Sequence, residues 1–427
     1  MHADLLARHR AVLPSWMALY YDEPIALTRG EGRHVWDAEG TRYLDFFGGI
    51  LTTLTAHALP EVVEAVQRQA ARILHTSTLY LIESQIALAE QIAALVPIPD
   101  AKVFFTTSGT EANEVALLLA CTARRSNQIL AMRNSYHGRS FAAMAVTGNA
   151  GWSASSLSPV QTSYLQGAYR FRSPWRDLPD DAYIAAGVAD LVDVLDTTTA
   201  GDVACLIAEP IQGVGGFAHP PDGFYGALAQ VAAERGILFV SDEVQTGWGR
   251  TGEHFWGFAA HGVTPDIVTF AKGIGNGLSL AGVVAPAHLM DAVTANSIST
   301  FGGNPLATTA AQANLRYLLE HQLQDNARKT GELLRRHLVD GADDLPLVAD
   351  IRGKGLMVGI ELAAADGTPD AAAAGLVLQG CKDAGLLVGK GGLYGNVLRI
   401  TPPLTVTVDE IAEGADLLVA ALRAAAG

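Results

Sequence analysis

Apolar residues recur at three- and four-residue spacing in "PEVVEAVQRQAARIL", from Pro60, and in "ESQIALAEQIAALV", from Glu83. That period predicts two amphipathic helices. From Ala101 the pattern changes to short, unbroken apolar runs set between helical stretches. "AKVFFTTSG" predicts a strand, "TEANEVALLLACTARR" a helix and "QILAMRN" another strand. "VACLIAEP", "GILFVSDEV" and "DIVTFAKG" also read as strands, with a helix at "YGALAQVAAERG" between the first two. Strands that are apolar on both faces and alternate with helices predict an α/β protein with a mostly parallel sheet covered on both sides. The first fifty residues are irregular, with short strand-like pieces in "IALTRGEGRHVWDAEGTRYLDFF" and a turn at Glu39-Gly40. Between Gly151 and Ala200 clusters of Ser, Pro and Trp blur the pattern, and only "GVADLVDVLDT" reads as a helix.

Beyond "TFGGNPLATTAAQANLRYLLE" a long helical stretch leads to "LVADIRGKGLMVGIEL" and "NVLRITPPLTVTVDEI", interleaved with helices. This change of texture predicts a smaller α+β domain after a boundary near Pro305. A chain of 427 residues has room for such a division. Its hydrophobic fraction of 49% supplies a sizeable core. The net charge of −15, with no basic stripe, makes nucleic acid and anionic membranes poor partners. Cys121, Cys205 and Cys381 are scattered through apolar stretches without metal or disulfide spacing, which fits a reducing cytoplasm. The opening "MHADLLARHRAVLPSW" shows no secretory signal, and no apolar run approaches the roughly 20 residues that span a bilayer.

The chemistry gathers where the strands end. In open parallel sheets ligands collect at the carboxyl ends. The first strand ends in Ser108-Gly109-Thr110 and opens into a helix, which is either a phosphate-binding helix start or a plain Ser cap with Glu111 in the first turn. Other strands end at Tyr136-His137-Gly138, at Glu209 and at Asp242-Glu243; each acid is either a solvated loop residue or a buried group in need of partners. "DIVTFAKGIGNG" runs apolar and then ends on Lys272. A strand-end lysine ordinarily snorkels to water. Taken together, one sheet edge would carry an anion cradle, an aromatic platform, a buried acid and an amine. A phosphorylated aromatic aldehyde needs that set: a Schiff base to the lysine, an acid at the pyridine nitrogen, a stacked ring and a phosphate site.

From "VWDAEGTRYLDFFGGI" to "VLRITPPL" the chain resembles the class III aminotransferases, which use pyridoxal 5'-phosphate on the fold-type-I scaffold. "SDEVQTGWGRTG", with Asp242 thirty residues before Lys272, and "TFGGNP" carry the likeness most specifically. "AEPIQGVGG" and "RGKGLMVGIEL" resemble the alanine–glyoxylate-like branch. The resemblance implies a large cofactor-binding domain over residues 49–305 with a seven-stranded sheet. It implies a small domain built from residues 306–427 and the N-terminal segment 1–48. It implies that Lys272 carries the cofactor, Asp242 bonds the pyridine nitrogen, Gln245 reaches the phenolic oxygen and Val244 packs behind the ring. Tyr136 would stack in front, with His137 and Glu209 in the shell around it, and Ser108, Gly109 and Thr110 would hold the phosphate. Thr300 would reach the phosphate of a neighbouring subunit, making a homodimer with shared active sites the working unit. Ile50, Tyr80, Arg139 and Arg399 would contact substrate, and no metal is implied.

Arg399 matches the family arginine that grips an α-carboxylate, and Arg139 resembles one used for a distal carboxylate in ω-amino-acid members. Those members place a glutamate where Val214 stands, able to mask the first arginine. Valine leaves Arg399 open, which favours small 2-keto acids and α-amino donors. The expected activity is ping-pong transfer of an amino group from an amino acid or terminal amine to pyruvate, glyoxylate or 2-oxoglutarate. A decarboxylase or aminomutase on the same scaffold is the alternative, since motifs do not report which substrate bond lies perpendicular to the ring.

Overall fold

The computed structural model describes residues 2–427. After an N-terminal helix (His2–Val12), which the irregular opening pattern does not predict, three antiparallel strands follow: β1 (Leu27–Glu31), β2 (His34–Asp37) and β3 (Arg42–Asp45). The expected turn at Glu39-Gly40 joins β2 to β3, with Gly40 at φ 87°. Two helices, Pro60–Ala70 and Glu83–Leu95, then lead into the central sheet. The first is shorter than its apolar pattern suggests, so Ile73 and Leu74 lie beyond it and exposed.

The central strands are β4 (Ala101–Thr106), β5 (Gln128–Met132), β6 (Gln161–Leu165), β7 (Cys205–Ala208), β8 (Leu238–Asp242), β9 (Ile267–Phe270) and β10 (Ala281–Pro286). They lie in the order β4-β10-β9-β8-β7-β5-β6. Only β10 runs against its neighbours, so the other six strands end at one edge. β7 and β9 are buried at every position, as expected for strands covered on both faces. One face is covered by the helix Gly109–Arg124 through Ala112, Ala116 and Leu117. The other is covered by the helices Asp180–Thr198 and Phe224–Glu234 through Tyr183, Leu191 and Leu228. Apolar periodicity does not reveal β6 or β10. β6 is the half-exposed edge strand "QTSYL", whose residues carry no apolar run. β10, "AGVVAP", runs antiparallel between β9 and β4.

The C-terminal part holds β11 (Val348–Lys354), β12 (Met357–Leu362), β13 (Leu386–Leu387), β14 (Gly389–Gly391) and β15 (Val397–Ile400). β11, β12, β15 and β14 form an antiparallel sheet, packed by the helices Leu323–Ala342 and Ala371–Asp383, with the helix Val408–Ala426 against those two. β13 pairs instead with β3, so both ends of the chain share one sheet. The protein is therefore α/β, with a mostly parallel seven-stranded sheet and a smaller antiparallel one.

Candidate active site

Five of the six aligned strand ends, those of β4, β5, β7, β8 and β9, meet at a cavity of about 340 Å³. Beyond β4, Ser108 caps the helix Gly109–Arg124 by accepting the Glu111 N–H at 3.2 Å. The plain-cap reading of Ser108 is therefore true, and the anion reading is compatible with it. Ser108, Gly109 and Thr110 line the cavity, and the first N–H groups of a helix have no acceptor within it. Close packing explains the glycines here. A Cβ on Gly109 would sit 3.1 Å from Val244, and one on Gly138, at φ 142°, would sit 2.7 Å from the Thr110 hydroxyl.

Asp242 ends β8 and is buried. Its Oδ2 accepts the Asn113 amide at 2.8 Å and bonds His137 Nδ1 at 2.8 Å, while Oδ1 accepts the Val244 N–H at 3.1 Å. Two fixed donors on one oxygen leave the other oxygen with capacity for a further donor. Glu209, just past β7, accepts the Tyr136 N–H and the Gly213 N–H, each at 2.9 Å. Burial raises its pKa, against the nearby His137, and Asp242 adds to the rise. Glu243 turns away from the cavity: its carboxylate takes the N–H groups of Gly257 and Phe258 and the Thr246 hydroxyl, which fixes the short helix Gly257–His261.

Lys272 follows β9 at φ 49°, a left-handed conformation costing a non-glycine residue of order 1–3 kcal/mol. Its amine makes no hydrogen bond to a described residue. Desolvation lowers its pKa, with Asp242 and Glu209 opposing and Arg399 adding to the fall. Tyr136 lines the same cavity, with its phenol pKa raised by burial and its ring edge-on to Trp152 at 5.3 Å. Val244 and Gln245 complete the wall, and Gln245 Oε1 is buried without a partner.

Arg399 lies on β15, only 4% exposed, with its guanidinium between the rings of Phe47 at 5.3 Å and Phe217 at 5.9 Å. No carboxylate among the described residues pairs with it. Its bonds are long, 3.2–3.4 Å, to the carbonyls of Lys390 and Gly213 and to the Tyr20 hydroxyl, and Nε has no partner. The strand ends of β4, β5, β7, β8 and β9 supply one wall, and β15 carries a buried cation close enough to act on Lys272 electrostatically.

A profile of the family described as aminotransferase class-III matches residues 17–422. The chain belongs to the class III aminotransferases. It is 39% identical over 98% of its length to alanine–glyoxylate aminotransferase 2 homolog 2, mitochondrial, of Arabidopsis thaliana, covering 86% of that protein. It is 35% identical over 95% of its length to the mitochondrial alanine–glyoxylate aminotransferase 2 of Homo sapiens, covering 84% of it. Among solved structures, an amine transaminase from an uncultivated Pseudomonas species, in its pyridoxal-phosphate-bound form, superposes with a TM-score of 0.89 at 30% identity over 97% of each chain. The chain is thus a transaminase, and enzymes of this family use pyridoxal phosphate. The wall fits that group: a helix start open to an anion, a buried carboxylate with spare acceptor capacity, an unpaired amine and an aromatic ring.

Like Arg399, the residues Ile50, Tyr80, Arg139 and Thr300, expected to meet substrate or a neighbouring cofactor, do not line the cavity of a single chain. All four are exposed. Ile50 lies in a run of four left-handed residues, Gly48 to Leu51. Three residues the sequence reading passes over belong to the site. Asn113 lines the cavity and holds Asp242, and its signal was a polar residue on the buried, otherwise apolar face of a helix. Thr52 lines the cavity, and Tyr20 stands beside Arg399, 379 positions away in sequence; neither carries a local signal. Among the described residues no helix is long and apolar enough to cross a membrane, and no cluster of side chains offers a metal site.

Proposed function

We propose that this transaminase moves amino groups from α-amino donors to small 2-keto acids such as pyruvate or glyoxylate, with Arg399 binding the α-carboxylate of each. The observation that carries this reading is the buried Arg399 guanidinium, which lacks a carboxylate partner and lies close enough to Lys272 to lower its pKa. A buried cation left unpaired is costly, and a substrate carboxylate would supply the missing charge and a bidentate pair of hydrogen bonds. Val214 leaves that place open. Its carbonyl accepts the Gly392 N–H at 2.9 Å, and both it and Arg399 Nε crowd the space beside Gly391. A glutamate at 214 would stand next to the guanidinium.

Lys272 is the amine proposed to attach the cofactor. Ser108, Gly109 and Thr110 would hold its phosphate, Tyr136 and Val244 its two faces, Gln245 its phenolic oxygen and Asp242 its ring nitrogen. When bound, pyridoxal phosphate supplies an aldehyde that takes up the donor amine and a cationic ring that draws electrons from its Cα. Asp242, anchored by Asn113 and His137, keeps the ring nitrogen protonated. Lys272, its pKa lowered by desolvation, is free to take the proton from the donor's Cα; such acid–base work contributes typically ~10²–10⁴-fold. Arg399 orients the donor through its carboxylate so that the Cα–H bond stands toward Lys272. Family membership favours this transfer over decarboxylation or aminomutation.

The working unit is proposed to be a homodimer. Ile73, Leu74, Leu79, Tyr80, Leu81 and Phe301 are exposed apolar residues, Leu81 at 94%, and a second copy would cover them. Thr300 precedes Phe301 in that band and would there serve the neighbour's phosphate. The free cysteines fit a reducing compartment, and the cytoplasm is the one proposed.

The test is a ratio: kcat/KM for alanine against a terminal amine, with pyruvate as acceptor, in the wild type and in Val214→Glu. The new carboxylate competes for Arg399, so the ratio should fall. Arg399→Lys should cripple pyruvate and glyoxylate alike. An unmoved ratio together with intact pyruvate use in Arg399→Lys would remove Arg399 from the substrate site.

A further inference from the structure

Arg250 is among the largest side chains that the fold buries completely, at 1% exposure. It lies eight residues beyond Asp242, in the turn that leaves β8. No acid among the described residues pairs with it. Nη1 donates to the carbonyl of Pro402 and, at 3.5 Å, to that of Leu356, while Nη2 has no partner. Its own carbonyl accepts the Leu356 N–H at 3.1 Å. Burial lowers its pKa to about 9. A buried charge held only by carbonyls is a poor way to gain stability, because an apolar side chain of similar volume would fill the space without the desolvation cost.

What Arg250 joins gives it a use. Pro402 stands three residues after Arg399, just beyond β15. On either side of it, Thr401 bonds the carbonyls of Phe46 and Phe47 at 2.7 and 3.1 Å, and the Leu404 N–H bonds the Leu54 carbonyl at 2.7 Å. Phe47 is the ring beneath the Arg399 guanidinium. The chain leaving Asp242 is therefore tied, through one side chain, to the segment that holds both Arg399 and its supporting ring. We infer that Arg250 is a positioning residue that sets the separation between the Asp242–Lys272 wall and Arg399, and so the fit of a 2-keto acid between them. This rests on the reading of Arg399 as the carboxylate site.

The experiment uses holoenzyme carrying Arg250→Met, an apolar replacement of similar length. The thermal midpoint should hold or rise, while KM for pyruvate rises about tenfold and kcat changes far less. Arg250→Lys, which still offers a donor to the Pro402 carbonyl, should recover a large part of the loss. In an Arg399→Lys background, Arg250→Met should add nothing to KM. An unchanged KM for pyruvate, or kcat falling in step with a lowered thermal midpoint, would overturn the inference and leave Arg250 as packing. If Arg250→Met does not fold, Arg250→Gln takes its place with the same outcomes. Arg399→Lys alone separates the two failures. If it raises KM and the Arg250 variants do not, only the positioning role falls. If it leaves KM unchanged, the carboxylate site itself is misassigned.

Discussion

Lys272 unites a strand-end position, a left-handed backbone and an amine without a hydrogen-bond partner, and each makes it more available for covalent chemistry than a snorkelling lysine. Lys272→Ala should keep the fold and hold the cofactor only noncovalently, with turnover nearly abolished. Borohydride reduction followed by peptide mapping checks this on the wild type: the label belongs on Lys272, and finding it on Lys354 or Lys390 would end the assignment. The role proposed for Asp242 works through charge. A hydrogen bond to a charged group is worth roughly 1.5–3 kcal/mol, so Asp242→Asn should weaken cofactor binding by no more than that order. Turnover should fall much further, because a neutral amide does not keep a pyridine nitrogen protonated. Equal losses in cofactor affinity and turnover would make Asp242 a binding residue alone.

At the scale of elements, adjacent acids where β8 ends serve different purposes because successive residues of an extended chain face opposite ways. Asp242 meets the cavity; Glu243 caps the helix Gly257–His261 from within the core. Burial carries the Glu243 carboxyl from its usual 4.5 up to about 6, against the donors around it. Between those values the folded protein binds the proton and the unfolded chain does not, so this group's contribution to stability is greatest at low pH and is lost as pH rises through about 6. The displacement corresponds to about 2 kcal/mol. Urea unfolding at pH 4.5 and 7 should therefore show the stability of the wild type relative to Glu243→Gln falling by about that amount. A pH-independent difference would mean that Glu243 titrates normally.

For the whole molecule, the exposed apolar band and the surface position of Thr300 make one expectation. Dilution to monomer should release cofactor, and added cofactor should shift the equilibrium toward dimer by mass action. Sedimentation across a concentration series, followed by cofactor absorbance, checks it. A monomer that stays saturated and active would show that each chain closes its own phosphate site.

The sequence by itself determined the strand ends and what they carry. Ser108 to Thr110, Tyr136, Glu209, Asp242 and Lys272 each follow an apolar run, and a parallel sheet must bring the carboxyl ends of such runs to one edge. Local periodicity also located most central strands, since a strand buried on both faces has a composition that its neighbours lack. β6 escaped because an edge strand need not be apolar, and the N-terminal helix because its apolar residues are not gathered on one face. Only the tertiary structure decided which of two adjacent acids faces the cavity, that Asn113 anchors Asp242, and that Tyr20 and Phe47 stand beside Arg399. It alone paired β3 with β13, across more than three hundred residues, and set Arg250 against Pro402. Those contacts join segments with no common local pattern, and their partners are chosen by how the two parts of the chain pack, which no short window of sequence records.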